Sequence, residues 1–158
     1  ENVFEASEFR FGLLMSMYGI GAVVIAPWLA AFGSRIQRSH LLVGSLVGYG
    51  CGEILLASTS FYWAGIAGIF IVGCAHLVMA TTTNTTLQLR VPEPVRGRVM
   101  AMYLMVFTIG APLGSIIQGP LADKFGPKAV VLVMGFCFLV AALILRISGR
   151  SETYNFKD

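Results

Sequence analysis

Five long apolar runs, separated by short polar clusters, organise this chain at about residues 11–32, 41–58, 61–83, 99–119 and 129–147. Each has roughly the length that a bilayer demands of a helix, and apart from Glu53 and Arg146 the charges fall between the runs. The pattern predicts an all-α protein, a polytopic bundle of five transmembrane helices. Between the third and fourth runs lies Asn84-Thr-Thr-Leu-Gln-Leu-Arg-Val-Pro-Glu-Pro-Val-Arg-Gly-Arg-Val-Met100. Pro92 and Pro94 remove two backbone donors and hold their neighbours extended, so one helix is expected to end before them and the next to begin near Arg96. Ser58-Thr-Ser60 reads as a tight uncharged turn, and Pro120 to Lys128 as a second turn carrying Asp123 and Lys124. Gly44, Gly48 and Gly52 recur every fourth residue on one helix face, as do Gly110 and Gly114, and each set predicts a groove for close helix packing.

Composition strengthens this picture. The 158 residues are 56% hydrophobic and only 12% charged, against about 25% charged in an ordinary soluble domain. The mean hydropathy is +0.78. The 18 glycines suit helices that associate by backbone approach within lipid. Cys51, Cys74 and Cys137 all fall inside apolar runs and are expected to be small buried hydrophobes, not a disulfide or metal set. The net charge of +3 sits in loops facing anionic lipid, so membrane lipid is the expected partner and nucleic acid is not. The chain opens on Glu1 with no signal peptide, and is expected to be processed or to be a piece of something longer.

Charge also orients the bundle. Arg35, Arg38, Arg90, Arg96, Arg98, Arg146, Arg150 and Lys157, eight of the eleven basic residues, fall in one set of loops. The other set holds Arg10, Lys124 and Lys128. Basic loops stay inside, so the Asn84–Met100 joint and the C-terminus are expected in the cytoplasm and the N-terminus outside.

The same joint carries a family resemblance. Asn84-Thr-Thr-Leu-Gln-Leu-Arg-Val-Pro, Arg96-Gly-Arg-Val-Met, Pro112-Leu-Gly and Gly119-Pro-Leu-Ala-Asp-Lys-Phe-Gly-Pro together resemble the C-terminal half of a major facilitator superfamily transporter, in the branch with enterobactin-exporter-like efflux proteins. The resemblance covers nearly the whole chain. It implies that the five runs are helices eight to twelve of a twelve-helix fold, with helix seven and the first half missing. It implies a cytoplasmic C-terminus in a plasma (bacterial inner) membrane. One motif departs: the superfamily's loop after the eighth helix would fall at Gly33-Ser-Arg-Ile-Gln-Arg38, with Ser34 in place of aspartate and Gln37 in place of glycine. A charge relay through that aspartate is not expected here.

Several residues carry candidate chemistry. Glu53 is the acidic residue inside a run, and a carboxylate in hydrocarbon is a functional candidate by default, most simply as a proton carrier. It also lies about 9 Å from the outer helix end at 1.5 Å per residue, so snorkelling or pairing across helices fits equally. His76 shares a small, polar helix face with Gly73, Ala80 and Thr83, on the run that the resemblance assigns to a cavity-lining tenth helix. It is either a titratable cavity residue or a core residue hydrogen-bonded to a neighbouring helix. The run Thr81 to Thr86, with Thr83 and Asn84, is a candidate for a polar substrate path or for a helix end whose side chains satisfy free carbonyls, and Gln118 for the cavity mouth. Arg96 and Arg98 anchor topology, and with Glu93 or helix-end carbonyls they are candidates for a cytoplasmic latch.

The expected function is secondary-active, proton-coupled efflux of a small amphipathic molecule by alternating access, with this chain as the C-terminal half and the missing N-terminal half as its partner. A truncated or half-sized bundle with a scaffolding role is the alternative. A membrane-embedded enzyme is disfavoured, because the runs hold no Gly-x-Ser-x-Gly, His-Glu-x-x-His or Cys-x-x-Cys. Neither a cofactor nor a metal is expected.

Overall fold

The computed structural model describes residues 8–151. The acidic lead-in with Glu1 and Glu5 and the tail with Lys157 lie outside the described residues. Five α-helices and one short 3-10 turn follow in order: α1 (Glu8–Phe32), the turn Gly33–Arg35, α2 (Arg38–Ser58), α3 (Tyr62–Arg90), α4 (Glu93–Phe125) and α5 (Pro127–Ser151). There is no strand among the described residues. All five helices are long and apolar enough to cross a bilayer, so the chain is an all-α integral membrane bundle.

The helix ends differ from the sequence expectation, and proline explains each difference. Val91 is extended before Pro92 (φ −80°, ψ 126°), as the steric clash with the proline ring requires. The next helix does not wait for Arg96, however. Pro92 is its N-cap, Glu93 its first residue and Pro94 its second. The missing proline N–H is harmless in a first turn, where amides have no intrahelical partner, and φ is already helical. Glu93 adds a carboxylate at the positive end of the helix dipole. Arg96 and Arg98 therefore sit on the opening turns of α4, not in the loop before it.

At its other end α4 runs through Pro112 and Pro120, so the turn expected over 120–128 shrinks to one residue. Gly126 adopts φ +85°, a conformation that costs glycine little, and α5 starts at Pro127. Asp123 and Lys124 are helical. With 33 residues, α4 is about 50 Å long at 1.5 Å per residue, well beyond the ~30 Å hydrocarbon core.

Packing runs through α2. Gly52 faces α3, where an added Cβ would stand 2.7 Å from the Gly68 carbonyl oxygen, and Gly68 returns the same 2.7 Å approach to Gly52. Two residues earlier and on the opposite side, Gly50 faces α5, with 2.7 Å to the Gly135 carbonyl oxygen. Gly21 and Gly73 similarly seat α1 on α3, against Phe70 and Tyr18 backbone, and the Cys74 thiol donates to the Gly21 carbonyl at 3.1 Å. Lipid tails are as apolar as leucine, so such close backbone contact does the work that hydrophobicity does in water. The buried apolar residues, Leu14, Leu41, Ala57, Ile69, Val72, Ala75, Val130 and Ala142, are correspondingly small or few.

Two expectations fail here. Of the predicted groove, Gly48 meets the Ala75 Cβ at 3.2 Å and Gly52 meets α3, but Gly44 faces open space: at a spacing of four the face drifts about 40° per step and leaves the contact. Cys51 and Cys137 are exposed on the bundle surface, and only Cys74 is part-buried.

Gly52→Ala and Gly68→Ala should each cost about 1–3 kcal/mol, because backbone oxygen cannot move aside for a methyl group. Gly44→Ala should be neutral or stabilising by up to ~1 kcal/mol through helix propensity. Thermal unfolding in detergent will separate the two classes.

Candidate functional site

The polar residues that meet inside the bundle do so around one side chain. His76 sits midway along α3, and each neighbouring helix sends an aromatic ring to it. Tyr18 of α1 lies 5.5 Å away between ring centroids, Phe107 of α4 5.8 Å, and Tyr49 of α2 6.2 Å in an edge-on arrangement. The Tyr49 hydroxyl and His76 Nδ1 share a hydrogen bond of 2.7 Å. On its other side the Tyr49 ring stacks on Phe138 of α5 at 4.7 Å and 23°. All five helices therefore meet at this pair, in hydrogen-bond or ring contact.

One turn from Tyr49, Glu53 lies on the α2 side that faces α5. Its Cβ would be 3.3 Å from a Cβ added at Gly135. Its Oε2 is buried and meets no hydrogen-bond donor among the described residues. That oxygen lies inside the packing, on a residue that is otherwise half-buried. A buried carboxyl oxygen without a donor is costly, and such exceptions gather where a group has a task.

On the other side of His76, α3 and α4 diverge into an open cleft of about 320 Å³, lined by Ala80, Thr81, Asn84, Thr85, Tyr103, Leu104 and Phe107. No lining side chain is charged. Tyr103 and Phe107 present tilted rings 5.9 Å apart, opposite the threonine hydroxyls and the Asn84 amide. Asn84 Oδ1 accepts from Gln88 one turn on. The surface is uncharged and sets aromatic rings against hydroxyl and amide groups.

The structure brings His76 and Asn84 to the two ends of this region. Thr83 is half-buried and is not among the lining residues, because Thr81 and Thr85 take the positions facing α4. Gln118 lines a separate cleft of about 340 Å³ between α4 and α5, with Ser115, Gly119, Ala122, Pro127, Val130 and Val131. Glu93, Arg96 and Arg98 are exposed at the α3–α4 joint, where Arg96 Nε donates to the Val91 carbonyl at 3.3 Å. Gly110 has open space beside it and Gly114 meets only its own helix's Gln118. The sequence reading missed Tyr49, Tyr18 and Phe107. Aromatic residues in an apolar run look like core, and only the close approach of α2 to α3 shows that the Tyr49 hydroxyl reaches a partner.

Comparison with known proteins agrees with the helix pattern. The family model described as Major Facilitator Superfamily matches residues 2–157. A class B tetracycline resistance protein of Escherichia coli is 28% identical over 156 residues, covering 94% of this chain and 36% of that protein. The multidrug resistance protein MdtG of Enterobacter lignolyticus is 28% identical over 145 residues, covering 90% and 34%. The enterobactin exporter EntS of Salmonella choleraesuis is 23% identical over 141 residues, covering 89% and 34%. The chain thus spans about a third of the length of these relatives. No solved structure matches it.

The cleft makes a labelling prediction. In a background with the three cysteines replaced by serine, Thr81→Cys and Thr85→Cys, both exposed, should react with a membrane-impermeant maleimide faster than Thr82→Cys, which is buried. The difference should be at least about tenfold, the factor that ~1.4 kcal/mol of local opening supplies. Mass spectrometry of the labelled helix measures it.

Proposed function

The chain belongs to the major facilitator superfamily, and from that premise we propose that it supplies the C-terminal helices, eighth to twelfth, of a secondary-active exporter in a bacterial inner membrane. The observation that carries this reading is α4. Along 33 residues it buries none, and Val106 and Ile116 remain 72% and 68% exposed. Beside them Gly110 lies open. A helix that is apolar all round but uncovered, with glycines on its free surface, is shaped to receive another helix. Further helices of the same protein would cover it, consistent with the relatives' threefold greater length.

In this reading the bundle rocks against those helices and the transported molecule sits between them near the midplane. The substrate is a small amphipathic molecule, and the uncharged, ring-bearing cleft beside Asn84 gives it a wall on this side. The Asn84–Met100 joint faces the cytoplasm, with Arg96 and Arg98 held at the lipid headgroups. The Arg96 bond to the Val91 carbonyl ties the start of α4 to the end of α3 and gives the latch its geometry, with Glu93 at the helix dipole beside it. Export is coupled to proton entry, and Glu53 and His76 are the groups in these helices that carry protons.

The α4 surface provides the test. In the intact protein, Gly110→Leu combined with Gly114→Leu should lower efflux of tetracycline, the compound named for the class B relative, by more than about tenfold, since over-filling a helix contact costs ~1–3 kcal/mol in each conformation that uses it. The isolated five-helix bundle should keep its melting temperature, because neither glycine touches another of its helices. Unchanged efflux in the intact protein would remove α4 as the contact surface.

A further inference from the structure

The cleft between α3 and α4 and the Arg96–Val91 hydrogen bond lie on one seam. Val91 follows Asn84 by seven positions at the end of α3, and Tyr103 follows Arg96 by seven on α4. Seven residues are two helical turns, so each pair shares a face. The Arg96 guanidinium, whose Nε donates to the Val91 carbonyl at 3.3 Å, therefore stands at the joint end of the seam. It is about 10 Å along the helices from the level of Asn84 and Tyr103, at 1.5 Å per residue. Its two terminal nitrogens meet no acceptor among the described residues, and no ion pair joins it to Glu93.

The polar groups along this seam are mostly donors. Asn84 Oδ1 is occupied by the Gln88 amide, which leaves the Asn84 amide nitrogen as its free group. Thr81 and Thr85 add exposed hydroxyls to the lining. α3 carries no acidic residue, and the two on α4, Glu93 and Asp123, stand at its ends. Around the joint, Arg90, Arg96 and Arg98 face Glu93 alone. Ring faces such as those of Tyr103 and Phe107 attract cations weakly where water reaches them, but no carboxylate lines the cleft to neutralise one. An anion instead finds a planar guanidinium with unused nitrogens, the geometry that matches a carboxylate.

We propose that this seam is a binding site for an aromatic acid, with Arg96 as the residue that selects the charge. The ring system lies against Tyr103 and Phe107, its oxygen substituents accept from the Asn84 amide and the threonine hydroxyls, and its carboxylate reaches the Arg96 guanidinium at the joint. Nε of Arg96 stays on the Val91 carbonyl, so the side chain is already held over the end of α3 before the ligand arrives and little ordering is left to do. The proposal names a substrate class within the export reading and rests on that reading for the site's role, while binding itself needs no transport.

Fluorescence anisotropy with the intact protein in phosphatidylcholine nanodiscs, protein-free discs subtracted, provides the test. The probes are fluorescein, an anionic aromatic acid, and a rhodamine methyl ester, which keeps the xanthene rings but is a cation without a carboxylate. Fluorescein should bind at least about tenfold more tightly, the factor that one charge-assisted hydrogen bond supplies. Arg96→Gln should remove that advantage and leave binding of the rhodamine ester unchanged. Arg96→Lys should recover part of it, since lysine keeps the charge but not the planar fork. Arg98→Gln removes the same charge from a position about 200° round the helix and should change fluorescein binding by less than about twofold. Tyr103→Leu should weaken it several-fold through loss of the ring. Equal or tighter binding of the rhodamine ester would overturn the proposal, as would the absence of saturable fluorescein binding. Equal effects of Arg96→Gln and Arg98→Gln, or an indifferent Tyr103→Leu, would do the same. An unchanged melting temperature in Arg96→Gln separates a lost contact from a lost fold, and the comparison of the two dyes on the unaltered protein stands whatever that variant does. No gradient is used, so failure of binding leaves the export reading standing, and failure of export leaves the binding result intact.

Discussion

The close approach of α2 to α3 at Gly52 and Gly68 is the contact on which the other features depend. Each glycine lets the opposite carbonyl come to where a methyl group would otherwise stand. Two helices that near can share a hydrogen bond through a tyrosine and a histidine, and without that proximity the Tyr49 hydroxyl would have no partner on α3. Because Gly50 faces the other way, the same helix also draws in α5, against which the Glu53 Cβ packs. A handful of missing Cβ atoms on α2 therefore sets both the architecture and the polar centre. Among the described residues no large side chain is fully buried, as expected of helices held by backbone proximity in a solvent that offers no hydrophobic gain.

The number and type of elements were legible because apolar run length is a strong constraint in a bilayer, and nothing in these five runs competes with it. Their ends were less legible. Pro92 and Pro94 do stop α3, but proline is also a favourable first-turn residue, so the same pair begins α4. Pro120 looked like a turn because in water an interior proline usually ends a helix. In lipid the freed carbonyl can be satisfied locally, and the helix costs less than an open loop. Gly126, with its positive φ, was the real punctuation, yet in a chain this rich in glycine it carried no distinguishing mark.

The site was half legible. Glu53 and His76 stood out because polar residues in an apolar run are expensive, and that rule needs no structure. Tyr49 did not, since a tyrosine among leucines and glycines is ordinary, and its significance lies in a contact between residues 27 positions apart. Within the polar run Thr81–Thr86, Thr81 and Thr85 line the cleft against α4 and Thr83 does not. Periodicity fixes which residues share a face, but only the neighbouring helix decides which face is used.

The single-residue connection at Gly126 acts as a depth gauge. With no slack between them, the adjoining ends of α4 and α5 must stop at the same level of the bilayer. The helices differ in length, 33 residues against 25, so the surplus of α4 accumulates at its other end, about 12 Å at 1.5 Å per residue. That end is the one bearing Glu93, Arg96 and Arg98. Both arginines thus belong to the stretch of α4 that α5 does not match, and they owe their place beyond its partner's reach to length alone.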